Sequence, residues 1–198
     1  GAMTSYQLLE RCLREQCEVV ENKLQVRKKA AGRTLQNPSD PDATINGHKG
    51  KGYQLQIAET YNPANAVQLI TCAIPQTAAD DDGEALPAII EQLTAHGFKP
   101  ERVLADAHYG SDDNQQKCEA DGIQLVAPVR GKHPGPGYVA TTDAQKRLEQ
   151  RREFQQTEEW EQLYKPRAQI EGTNSGMKRR VDLGQLRKQK KKSVFCVL

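Results

Sequence analysis

The chain has 198 residues and a formal net charge of +2, with 36% hydrophobic, 27% charged and only 5% aromatic residues. That length fits one domain, or one domain with a helical appendage, and the apolar share is enough for a core. No apolar run approaches the roughly 18 residues of a membrane span, no secretory leader is visible, and five scattered cysteines without a C-x-x-C pair give no disulfide or zinc framework. The expectation is a protein of the cytoplasm with reduced thiols and no membrane contact.

Gly1-Ala2-Met3 reads as the remnant of a cleaved tag. Leu8, Leu9, Cys12, Leu13, Cys17, Val20 and Leu24 recur at three-and-four spacing. This predicts a helix from Tyr6 to about Ala31, stopped at Gly32, inside an N-terminal segment of residues 4–36. Asn37-Pro38-Ser39-Asp40-Pro41-Asp42 opens a second segment, 37–180, as loop. Tyr53 to Ala58 alternates as a strand, Asn62-Pro63-Ala64-Asn65 turns, and Val67 to Ile74 is a second strand ended by Pro75. An acidic loop, Asp80-Asp81-Asp82-Gly83, precedes a helix from Ala85 to His96 that Gly97 ends. Arg102 to Asp106 reads as a short buried strand, Ser111 as the cap of a helix to Ala120, and Ile123 to Val129 as a further strand. Lys132 to Gly137 is loop, Thr142 to Tyr164 is polar and helical, and after Pro166 a helix resumes from Arg167 to Arg180. Strand and helix alternate after a hairpin, which predicts an α/β fold with a mixed sheet flanked by helices.

The strand ending in Asp106 puts a carboxylate at the carboxyl end of the sheet, where open α/β sheets hold ligands. Such a carboxylate needs water, a partner or a metal; the plainer reading is an Asp that caps the turn into Tyr109-Gly110-Ser111. Arg167, Glu171 and Lys178 share one helical face at spacings of four and seven, behind Tyr164. A carboxylate between two cations suits a divalent metal beside a phosphate. The plainer alternative is a surface pair worth only ~0.3–0.5 kcal/mol. His108 reads as a turn residue, His48 as loop, Trp160 as an anchor for the charged insert, and Cys17 and Cys118 as packing. In residues 181–198 and just before them, Lys178, Arg179, Arg180, Arg187, Lys188, Lys190, Lys191 and Lys192 face a single Asp182, so the body is mildly acidic and the end strongly basic. A polyanion contact and a solvated tail both fit this asymmetry.

Tyr164, Arg167, Glu171 and Lys178, at these intervals, resemble the Y-R-E-K signature of bacterial insertion-sequence transposases of the DDE class. Ala105-Asp106-Ala107-His108-Tyr109-Gly110-Ser111 is similar to the second-Asp motif of that family, and Asn37 to Ala43 with His48 to Tyr53 is similar to a block in one of its branches. The resemblance covers about residues 37–198. It implies an RNase H-like fold and two-metal phosphoryl transfer with Mg²⁺ or Mn²⁺. By the same resemblance Asp106 is the second catalytic and metal-binding carboxylate and Glu171 the third. Tyr164, Arg167, Lys178, Arg179, Arg180, Arg187 and Lys188 would then contact double-stranded DNA, the transposon ends in the parent enzyme. A place on the bacterial nucleoid follows.

The family's first Asp, on its first strand with Gly or Ser and Thr behind it, has no counterpart: Asp82-Gly83 and Asp121-Gly122 fall in loop and helix-end contexts. The expectation is a catalytic-domain fragment that lacks the first central strand, is inactive alone, and associates with itself through the edges left bare. Two other readings stay open. One is a catalytically dead remnant used as a DNA-binding or protein-interaction module. The other is an unrelated α/β domain whose basic tail binds RNA.

Overall fold

The computed structural model describes residues 4–29 and 31–180. The N-terminal tripeptide and the basic segment 181–198, with Arg187, Lys188 and Cys196, lie outside the described residues. The chain divides into two compact units, whose described residues fall within 4–56 and 75–80 for the first and within 57–74 and 81–180 for the second.

In the first unit, α1 (Ser5–Gln16) begins at a reciprocal cap: Thr4 Oγ1 accepts from the Gln7 amide and the Thr4 amide donates to Gln7 Oε1. The helix stops at Gln16, well short of the expected Ala31. The chain instead forms an antiparallel hairpin, β1 (Cys17–Val20) and β2 (Lys23–Val26), with Val19 opposite Leu24 and Cys17 opposite Val26. Glu21 and Asn22 both hold positive φ, 50° and 62°, which is the backbone a two-residue hairpin turn requires. Alternation therefore puts Cys17, Val19, Leu24 and Val26 on one face of the hairpin.

The following loop is pinned back to α1. The Leu35 amide donates to Glu15 Oε2 at 2.6 Å, Gln16 Nε2 donates to the Leu35 carbonyl at 2.6 Å, and Arg11 Nη1 reaches the Pro41 carbonyl. Buried Asp40 accepts from the Tyr53 hydroxyl at 2.7 Å. Burial, and then that carboxylate, push the Tyr53 phenol well above its ordinary pKa. β3 (Thr44–Asn46), β4 (Gly50–Glu59) and β5 (Ile70–Thr77) form a sheet in that order. β3 covers only Gly50 to Gly52 of β4. Pro75 lies inside β5 rather than ending it. β5 is an edge strand, where a residue without an N–H is tolerated.

The second unit is built from α2 (Leu86–Ala95), β6 (Arg102–Leu104), α3 (Asp112–Ala120), β7 (Gln124–Val126), α4 (Asp143–Phe154), α5 (Glu158–Tyr164) and α6 (Gln169–Arg180). Ser111 caps α3 through the Asn114 amide. Thr142 opens α4 with a capping box. Gly97 and Gly122 end α2 and α3 with positive φ. Leu86 and Ile90 of α2 pack with Cys118, Ile123, Leu125 and Ala127, while its Ile89 and Leu93 pack with Cys72 and Ala85. Tyr109 touches both clusters.

β6 and β7 pair in parallel, Val103 opposite Leu125, and make a two-stranded sheet. The mixed sheet expected from the strand–helix alternation thus resolves, among the described residues, into three small sheets. The parallel ladder is three residues long because the chain leaves β6 at Ala105 to enter the turn after Asp106. No helix among the described residues is long and apolar enough to cross a membrane.

Candidate functional site

Asp106 sits two residues past the end of β6 and caps a single 3-10 turn, Ala107–Tyr109. Its Oδ1 accepts from the His108 amide at 2.8 Å. Part of the carboxylate is therefore spent on the local turn, as the plainer sequence reading allowed. The turn is squeezed from two sides. A Cβ added at Gly83 would lie 2.3 Å from the His108 carbonyl oxygen, and one at Gly110 would lie 1.8 Å from that of Pro128. Backbone contacts this close admit only glycine.

Acidic groups surround the same turn. Asp81 caps the 3-10 turn Asp82–Ala85 and is paired with both terminal nitrogens of Arg130, which hold its carboxyl below the usual carboxylate range. The Tyr109 phenol is pushed far up, first by burial and then by Asp82, Asp106 and Asp81. His108 itself is exposed.

Tyr164 ends α5, and the 3-10 turn Lys165–Ala168 carries Pro166 and Arg167 into α6. Arg167 Nη1 meets Glu171 Oε1 at 2.6 Å, so the four-residue spacing is realised across the junction of turn and helix. Glu171 keeps 63% of its side chain exposed. Tyr164 is half-buried, and the Trp160 ring stacks on it with centroids 4.5 Å apart. Burial raises the Tyr164 pKa, Arg167 lowers it, and the Asp106 and Glu171 carboxylates both raise it. One phenol thus feels both acidic side chains, which are 65 positions apart in the sequence.

Lys178, Arg179 and Arg180 are exposed in the last turn of α6. Arg187 and Lys188 fall outside the described residues. Asp106 and Glu171 supply only oxygen donors, the kind that Mg²⁺ and Mn²⁺ prefer. Among the described residues no group of three or more His, Cys, Asp or Glu side chains is arranged to hold a metal ion.

Sequence reasoning missed several polar residues here. Thr173 Oγ1 donates to Glu59 Oε2 at 2.6 Å and ties α6 to the end of β4. The insert helix α4 is fixed by Arg147 on Asp112 and by Gln155, whose Oε1 accepts from the Val129 amide. Buried Asn114 donates to two carbonyls of the Asp106 region. None of these contacts has a local sequence signal, because each partner is more than four residues away.

Among curated proteins and among solved structures, no match is found. The family description "Transposase DDE domain" matches residues 28–198, most of the chain. The chain belongs to the DDE transposase domain family, whose members move DNA by cutting and joining its strands.

Proposed function

We propose that this chain carries the second and third carboxylates of a metal-dependent DNA-cutting site, Asp106 and Glu171, in the Y-R-E-K branch of the family. The observation that supports the reading is the Arg167–Glu171 contact at 2.6 Å, which closes the signature's four-residue interval beside half-buried Tyr164. The reading includes an RNase H-like scaffold without its first central strand. A β4–β5 pair, then a parallel β6–β7 pair in a separate sheet, is the order such a scaffold leaves when the strand between them is missing. β3 pairs only with Gly50 to Gly52 of β4, and β6 has no strand opposite β7, among the described residues. Strands from a second copy would satisfy such edges, so self-association belongs to the same reading.

Asp106 and Glu171 would hold Mg²⁺ or Mn²⁺, ions commonly bound by one or two carboxylates together with substrate phosphate. When bound, such an ion polarises the phosphodiester and activates the attacking hydroxyl. Arg167 orients Glu171 through their charge-assisted contact. Tyr164, with its pKa raised, stays protonated near neutral pH and offers a hydroxyl donor to a phosphate oxygen. Lys178, Arg179 and Arg180, with Arg187 and Lys188 beyond the described residues, neutralise the duplex backbone.

Titration calorimetry with Mn²⁺ tests the site. The wild-type chain is expected to bind, and Asp106→Asn and Glu171→Gln each to abolish the heat. Binding that survives both substitutions would remove these two residues from the site.

A second reading, a catalytically dead remnant acting as a DNA-binding or protein-interaction module, is favoured by the missing counterpart of the family's first Asp. Both readings expect no strand nicking of a supercoiled plasmid by the isolated chain with Mn²⁺. Turnover that Asp106→Ala abolishes would contradict both.

A further inference from the structure

The turn that carries Asp106 is held from outside by two side chains on separate helices. Asn114 of α3 is buried, with 6% of its surface exposed. Its Nδ2 donates to the Gly83 carbonyl at 2.9 Å and to the Tyr109 carbonyl at 3.1 Å. One amide group therefore joins the Asp81–Gly83 loop to the far end of the Asp106 turn. Arg151 of α4 approaches from the insert: its Nη2 donates to the Gly110 carbonyl at 3.2 Å and to the Ala127 carbonyl at 3.4 Å. That second bond reaches the residue just past β7.

Arg151 is an odd choice for stability. It has no carboxylate within ion-pair distance, and its Nη1 is buried without a hydrogen-bond partner among the described residues. Burying a guanidinium this way is unfavourable unless geometry is the return. What it does supply is one planar nitrogen, Nη2, whose two N–H directions are fixed by the guanidinium and reach two carbonyls at once, a geometry a freely rotating ammonium does not hold. The Tyr109 carbonyl that Asn114 binds and the Gly110 carbonyl that Arg151 binds follow Asp106 by three and four residues. Fixing them fixes the 3-10 turn, and that turn supplies the His108 amide to which Asp106 Oδ1 is bound.

We propose that Asn114 and Arg151 are positioning residues that clamp the Asp106 turn and so set the direction in which its carboxylate presents its free oxygen. The insert helix then serves the site itself rather than only filling the interval before α5. The importance of that direction rests on the reading of Asp106 as a metal-binding carboxylate, whereas the clamp does not.

Amide hydrogen exchange on the whole chain tests it. In Asn114→Ala, the amides of residues 107–110 are expected to exchange faster by about tenfold, the loss of one net hydrogen bond. Those of α2 and of the β1–β2 hairpin should keep their rates. Arg151→Lys is expected to give a smaller rise at the same residues, and Arg151→Met a rise like that of Asn114→Ala. The His108 amide proton resonance should move toward its unbonded position in both Asn114→Ala and Arg151→Met. Unchanged exchange at 107–110, or a uniform rise across residues 81–129 with an unmoved His108 resonance, would overturn the clamp. Mn²⁺ calorimetry on the wild type separates the two levels. Wild-type chain that binds no metal defeats the metal-site reading while the exchange rates still decide the clamp. Metal binding with unchanged exchange defeats the clamp alone.

Discussion

Gly110→Ala is expected to destabilise the second unit by about 3 kcal/mol, at the upper end of what overpacking does. The added Cβ would lie 1.8 Å from the Pro128 carbonyl oxygen and 2.8 Å from its carbon. Both are backbone atoms, so no side-chain rotation relieves the clash. Pro128 follows Ala127, which is buried in the core cluster with Leu125 and Ile123. The Arg130 amide also donates to the Gly110 carbonyl at 3.3 Å. Pushing the two segments apart would therefore open the carboxyl ends of both β6 and β7. Urea unfolding followed by circular dichroism reads the loss as a lower midpoint at unchanged slope. A wild-type midpoint would mean that Pro128 yields freely, and that the turn after Asp106 is not held by close approach.

The second large effect is expected in DNA binding. Each phosphate contact releases counterions, so the logarithm of affinity falls with the logarithm of salt at about 0.9 per contact on duplex DNA. Replacing Lys178, Arg179 and Arg180 together by glutamine should lower that slope by about 2.7. The three lie exposed in one turn, and their loss should be sequence-independent. Fluorescence anisotropy with a random duplex at several salt concentrations gives the slope directly. A slope equal to wild type would take the end of α6 out of the DNA interface.

Much of the second unit could be read in the linear sequence because its signals are local. Ser111 is followed by the residues its hydroxyl caps, and Gly97 and Gly122 supply the positive φ that ends a helix. The four-residue spacing of Arg167 and Glu171 closes into a contact for the same reason. The N-terminal stretch was misleading because Cys17, Val20 and Leu24 satisfy a helical interval while Cys17, Val19, Leu24 and Val26 satisfy a strand interval. The turn that decides between them, Glu21-Asn22, has no glycine to announce its positive φ. The β4–β5 hairpin was legible from its alternation and turn, but the division into separate sheets was hidden for another reason. Which sheet a strand joins depends on contacts between distant segments, and the three-residue strands β3, β6 and β7 are too short to carry a periodic trace.

The Asp106 region was legible in its ends and not in its support. A carboxylate after an apolar strand can be seen in the sequence, and so can a tyrosine–arginine–glutamate series. Asn114 reads as an ordinary first-turn polar residue of α3, and Arg151 as one cation among several on α4. Their partners are main-chain carbonyls, and a carbonyl belongs to every residue alike. Sequence alone cannot single one out.

The chain has one tryptophan, and its ring lies against that of Tyr164. Its indole emission therefore comes from a single place, one ring away from a phenol that feels both Asp106 and Glu171. A change in that light on adding a cation or an oligonucleotide reports on this locale alone, with no dye attached and no background from other indoles.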